Sequence, residues 1–165
     1  MYSHRDWRSV LDIMKTLRIA KDKEEIVRRV QTILPTSQRR WGRMSAHQMI
    51  CHLSDSYRMF MGDKKVAPVG GLYPSALLRW FALGVPTPWP RGFRAAPELD
   101  QQIGGTRPVQ FDADVSELLA LIDRFARQPK DYEPQPHPHF GQMSDADWMR
   151  LGYLHADHHL RQFGV

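Results

Sequence analysis

The chain has a single cysteine, Cys51, among its 165 residues. That excludes an internal disulfide and any cysteine-rich zinc site, and it leaves histidine and carboxylate as the main ligand types for a metal. Cys51 stands beside His52, but neighbours on a helix point about 100° apart. A buried, inert thiol is therefore expected rather than a Cys-His nucleophile. No apolar run is long enough for a membrane span, and Arg5, Asp6, Arg8, Asp12 and Lys15 interrupt the segment where a signal peptide needs its apolar stretch. A cytoplasmic protein that meets no membrane is expected. Repeats and low-complexity tracts are absent too, which excludes collagen-like and disordered classes.

What is present fits one globular domain over residues 1–165, with 42% hydrophobic residues supplying a core of ordinary size. The net charge of +5 is uneven, because residues 1 to 43 hold 11 Lys and Arg against 5 Asp and Glu. These basic residues are scattered among acids without a recognition motif. A solvated face is expected there, and nucleic acid is not an expected partner.

Residues 4 to 18 place Trp7, Val10, Leu11, Met14 and Leu17 at helical spacing, as an amphipathic segment outside the core. Lys23 to Leu34 predicts a first long helix, capped by Asp22, with Ile26, Val27, Val30, Ile33 and Leu34 on one side and Pro35 ending it. Ser45 and Gln48 form a capping box for a second helix running to about Met61, before Gly62. A third spans Ala113 to Arg127, with Val115, Leu118, Leu119, Ile122 and Phe125 as its stripe, and Ser144 with Asp147 opens a fourth. Between the second and third, residues 62 to 112 hold seven prolines and seven glycines, with room for one short helix from Pro74 to Leu83. The predicted fold is all-α: a four-helix bundle with a long Pro/Gly-rich crossover between its second and third helices. Tyr73, Trp80, Phe81, Trp89 and Phe93 of that crossover are candidates to roof a pocket, or else to tie the loop down.

The last helix carries the chemistry. His155 and His159 are four apart, about 40° around the axis and one turn above one another, so both rings reach one ion. They extend a stripe of Trp148 and Leu151 that runs on to Gln162, which points them inward, where imidazoles need hydrogen-bond partners or a metal. His52 lies on the inward face of the second helix with Met49 and Ser56, whereas His47 sits about 140° away from it. His158 lies at the stripe's edge, and His137 and His139 sit in a loop where Phe140 is the expected anchor and Gly141 a turn. Three neutral imidazoles, from His52, His155 and His159, leave an open coordination position, the pattern of a catalytic rather than a structural site. An ion there would activate a water, a thiol or a substrate oxygen. The set suits Zn, Ni, Fe or Co. Asp55, Ser56 and Gln162 are the candidates to accept the remaining ring N–H groups.

The segments from Met44 to Asp55, from His137 to Gly141 and from Tyr153 to Phe163 together resemble the DinB/YfiT-like superfamily, closest to a bacterial branch catalogued only as a domain of unknown function. The resemblance implies a four-helix bundle, often a homodimer, with one divalent metal held by His52, His155 and His159. It also implies thiol-dependent transferase chemistry, with a low-molecular-weight thiol as cosubstrate. The basic segment before Lys23 and the Pro-rich crossover depart from the superfamily's pattern, and both lie where a substrate would be chosen. The leading expectation is a divalent-metal-dependent enzyme of the thiol-dependent transferase or hydrolase type acting on a small molecule. The alternative is a non-catalytic metal or small-molecule binding module, linked to stress.

Overall fold

The computed structural model describes residues 14–68, 75–85, 87–92 and 94–165. Among them the protein is all-helical, with five α-helices and no strand: α1 (Ala20–Gln31), α2 (Ala46–Met61), α3 (Ser75–Gly84), α4 (Phe111–Ala126) and α5 (Asp145–Gln162). A 3-10 turn at Pro97–Leu99 and an isolated bridge between His137 and Gly141 complete the regular structure. No described helix is long and apolar enough to cross a membrane. α2 packs on α4 and α5, α1 packs on the same two helices, and α3 leans on α5.

Local chemistry explains the sharpest boundaries. The Ser45 hydroxyl accepts the Gln48 N–H while the Gln48 side chain accepts the Ser45 N–H, so two orphan donors of α2 are satisfied at once. Ser144 and Asp147 do the same for α5. At the far end of α2, Gly62 adopts φ 85°, a left-handed cap that glycine enters without a Cβ clash.

Elsewhere the expected boundaries shift. α1 begins at Ala20, ahead of Lys23, and Asp22 does not cap it; the carboxylate instead accepts the backbone N–H of Thr16 at 2.9 Å and ties the preceding segment down. The helix closes at Gln31, four residues before Pro35, which leaves Leu34 59% exposed rather than on the buried side. The helical reading of residues 4 to 18 also changes at its end. Residues 14 to 19 are not helical, yet Leu17 is buried and its N–H bonds the Met149 carbonyl; Trp7, Val10 and Leu11 lie outside the described residues.

The core runs along the seam between α2, α4 and α5. Tyr57, Phe60 and Phe125 meet with centroids 5.3 to 5.7 Å apart, in edge-on and tilted geometries that favour aromatic pairs, and Trp148 joins Phe60 at 5.4 Å. α5 approaches this cluster at Gly152, whose carbonyl accepts the Tyr57 hydroxyl at 3.0 Å. A Cβ there would lie 2.7 Å from Phe125 and 2.9 Å from Leu17. Glycine inside a helix forgoes about 1 kcal/mol of propensity relative to alanine, and here the close approach accounts for it.

In the crossover, Trp80 and Phe81 are 65% and 55% exposed, and Trp80 borders a cavity away from the histidines, while Tyr73 and Phe93 lie outside the described residues. Trp89 packs inward and its indole N–H donates to the Ala82 carbonyl at 2.8 Å. Gly152→Ala is expected to lower stability by about 1–3 kcal/mol through overpacking, despite alanine's better helix propensity. Urea unfolding checks this, and a neutral or stabilising result would contradict the close packing at this point.

Candidate metal centre

α2 and α5 bring three histidine rings to one point. His52 Nε2 lies 3.2 Å from His155 Nε2, and His159 Nε2 lies 3.1 Å from that same atom. His52 and His159 are buried and His155 is partly exposed. Phe60 backs the His155 ring at 5.9 Å, so the aromatic core continues into the cluster.

Protons on the far side of two rings decide what these nitrogens can do. His52 Nδ1 is 2.8 Å from the Leu99 carbonyl, which only accepts, so the ring carries its hydrogen there. His159 Nδ1 is 3.1 Å from Gln162 Oε1, and the Gln162 amide is oriented by its own N–H₂ donating to the Trp41 carbonyl at 2.7 Å. His159 is therefore also protonated on Nδ1. In a neutral imidazole the second nitrogen then presents a lone pair. His155 Nε2 faces both lone pairs and has one hydrogen at most to offer, so one contact at least sets lone pair against lone pair. A single cation between them would satisfy all three. With histidine–metal distances of roughly 2.0–2.1 Å, nitrogens 3.1 to 3.2 Å apart subtend about 100° at the ion, between octahedral and tetrahedral values.

Electrostatics keep the rings neutral. Burial pulls His52 below the ordinary histidine range, against the opposing pull of the Leu99 hydrogen bond and the Asp55 and Asp100 charges. Burial, then repulsion from the other rings, holds His155 and His159 well below that range. Neutral imidazole is the form that ligates.

Of the partners expected from sequence, Gln162 takes its place, but Asp55 and Ser56 do not. The Ser56 hydroxyl donates to the His52 backbone carbonyl. Asp55, fully buried, meets Lys64 at 2.8 Å, Arg58 at 3.1 Å, Gln101 at 3.2 Å and both the N–H and the hydroxyl of Thr106 at 2.7 Å. Burial would raise its pKa, but Lys64 and Thr106 hold it below the usual carboxylate range. These contacts fix the segment that presents the Leu99 carbonyl to His52, a partner no residue type could have announced.

Among the described residues no other histidine joins this group of ligand atoms. His47 meets Asp114 at 2.6 Å. His137 stacks on Phe140 at 4.5 Å, its Nδ1 accepts the N–H groups of His139 and Phe140, and burial pushes its pKa down to about 3. Gly141 turns at φ 65°. His158 packs among Trp41, Trp89 and His159 with centroids 5.1 to 6.2 Å away, and Trp89 also stands 6.0 Å from His155. Among the described residues of the crossover, Trp89 is thus the aromatic that borders the cluster. A cavity of about 440 Å³ opens elsewhere, bounded by Arg18, Arg79, Trp80 and Arg150, with no histidine in its wall.

The depressed histidines set a pH dependence. An unfolded histidine takes up a proton near pH 6.5 while the folded rings stay neutral, so the metal-free protein is expected to lose stability as pH falls below about 6.5, towards the lowered folded values. In His155→Leu one such group is gone, and the slope of unfolding free energy between about pH 6.5 and 5 should be shallower by up to about 1.4 kcal/mol per pH unit. Equal slopes in denaturant titrations would contradict a neutral His155 in the folded protein.

No curated protein and no solved structure matches the sequence. A family model does match, over residues 14–164, which takes in α1 through α5 and all three histidines. The chain belongs to that family, described as a protein of unknown function, DUF1569.

Proposed function

We propose that His52, His155 and His159 bind one divalent metal ion through Nε2, and that the protein is a metal-dependent enzyme of the thiol-dependent transferase or hydrolase type. The observation that carries this is the facing of three Nε2 atoms when two of the rings have their hydrogen fixed on Nδ1. Zn, Ni, Fe and Co all suit imidazole nitrogen. Three protein ligands leave a position open, and the partly exposed His155 marks the side from which a small molecule arrives.

An ion at this point supplies Lewis acidity, lowering the pKa of a thiol or water at the open position. The chain's own groups do the positioning. Leu99 and Gln162 hold two rings in the ligating tautomer, and Trp89 and His158 wall the approach from the crossover side. The mutual packing of α1, α2, α4 and α5 supports a four-helix bundle of the DinB/YfiT type, formed by one domain. A cytoplasmic homodimer with a low-molecular-weight thiol as cosubstrate belongs to the same reading, through the resemblance.

One feature favours the alternative, a non-catalytic binding module. Asp55, the carboxylate three residues from His52, is saturated by Lys64, Arg58, Gln101 and Thr106 and so is no general base.

Metal analysis of untagged protein tests the site. His52→Ala, His155→Ala and His159→Ala should each lose one equivalent of metal relative to wild type, while His139→Ala should lose none. Gln162→Leu, which removes the acceptor of the His159 N–H, should weaken metal affinity by about 10–100-fold. Unchanged metal content across the three alanine variants would sink the proposal.

A further inference from the structure

Another face of α2 carries a second set of ligand atoms. His47 and Cys51 stand four residues apart, one helical turn from each other, and the first turn of α4 brings Asp114 against both. His47 Nε2 lies 2.6 Å from Asp114 Oδ2, and Cys51 Sγ lies 3.7 Å from the same oxygen. The three ligand atoms all fall within 4.8 Å of one another. The Val109 N–H donates to Oδ2 at 3.2 Å and orients the carboxylate. Among the described residues Asp114 forms an ion pair with His47 and with no Lys or Arg.

We propose that His47, Cys51 and Asp114 form a second, separate binding site for one thiophilic divalent cation of the zinc, cobalt or cadmium class. Nitrogen, sulfur and oxygen donors together suit such ions, whereas calcium and magnesium take oxygen alone. A thiolate and a carboxylate balance the ion's two charges, which suits a site as enclosed as this one. The Cys51 side is buried, and the His47 and Asp114 side chains are 21% and 17% exposed. Without an ion, the Cys51 thiol keeps its proton and directs it at Asp114 Oδ2. A cation reverses that preference, as coordination deprotonates a thiol outright. On binding, the thiol proton leaves to solvent and the hydrogen between His47 and Asp114 leaves Nε2: a neutral ring takes one up on Nδ1 in its place, and a protonated ring, which already carries one there, releases it to solvent. His47 Nε2 and Asp114 Oδ2 then widen from hydrogen-bond distance to about 3 Å, the separation of neighbouring ligands on one ion. The inference stands independently of the three-histidine centre.

Because Cys51 is the sole cysteine, any thiolate-to-metal charge-transfer absorption reports this site alone. The test is titration of the metal-free, full-length protein with Co²⁺ under anaerobic conditions and a thiol-free reductant, with circular dichroism as the check on folding. Wild type and His155→Ala are both expected to develop a near-ultraviolet charge-transfer band that saturates with one equivalent at this site. Cys51→Ser should lack it. Asp114→Asn, which keeps the side-chain shape, should show it only at a cobalt concentration about tenfold higher or more. Absence of the band in folded wild-type protein would overturn the proposal. So would an unchanged titration midpoint in both His47→Ala and Asp114→Asn, since the thiol would then be binding cobalt unaided.

Discussion

The buried carboxylate of Asp55 is the constraint on which the arrangement turns. An ionised group without exposure is tolerated only when charges and hydrogen bonds replace the water it lost. Asp55 obtains them from Arg58 on its own helix, Lys64 just beyond it, and Gln101 and Thr106 at the far end of the crossover. Meeting that demand folds residues 97 to 106 over α2. A segment rich in glycine and proline, with little regular structure of its own, thereby acquires a fixed position. Leu99 lies inside it, and its carbonyl sets the tautomer of His52. An electrostatic requirement in the core thus becomes a chemical property of the histidine cluster.

The histidine cluster is unfavourable for the chain by itself. Three rings, two of them buried, with facing lone pairs, contribute no ordinary hydrogen-bond network between them. Such an arrangement persists because the surroundings are over-determined. The aromatic packing of Phe60, Trp148 and Phe125, the capped starts of α2 and α5, and the Arg29 link from α1 to Asp157 at 2.8 Å hold the two histidine-bearing helices in place. Strain gathered at one point and offset elsewhere is the usual signature of a functional site.

Much of this was legible in the sequence where the deciding interactions are local. Both capping boxes are read within four residues, so the starts of α2 and α5 follow from side-chain chemistry alone. The stripe from Trp148 through His155 to Gln162 obeys helical periodicity, and so does the inward placement of His52. What depended on tertiary partners was not legible. Asp22 has the composition of a cap but bonds backwards to Thr16, and the Leu34 side of α1 is lost because the helix closes at Gln31. Asp55 looked like a partner for histidine, yet Lys64 and Thr106 claim it. Backbone carbonyls such as those of Leu99 and Trp41 carry no residue-type signal at all. His47 and Cys51 gave no hint of Asp114, because the pairing spans two helices far apart in the chain.

The Gln162 amide makes its position an either-or for side-chain chemistry. Its oxygen accepts from His159 and its nitrogen donates to Trp41, so both ends are used in opposite senses. A glutamate has the same length and would accept the imidazole hydrogen more strongly, but it has no hydrogen for the Trp41 carbonyl and would set two acceptors against each other. An amide flip produces the mirror fault, with donor facing donor at His159. Among the natural side chains of this length, glutamine alone fits in one orientation, and the loop before α2 is thereby made part of the electronic surroundings of a ring on α5.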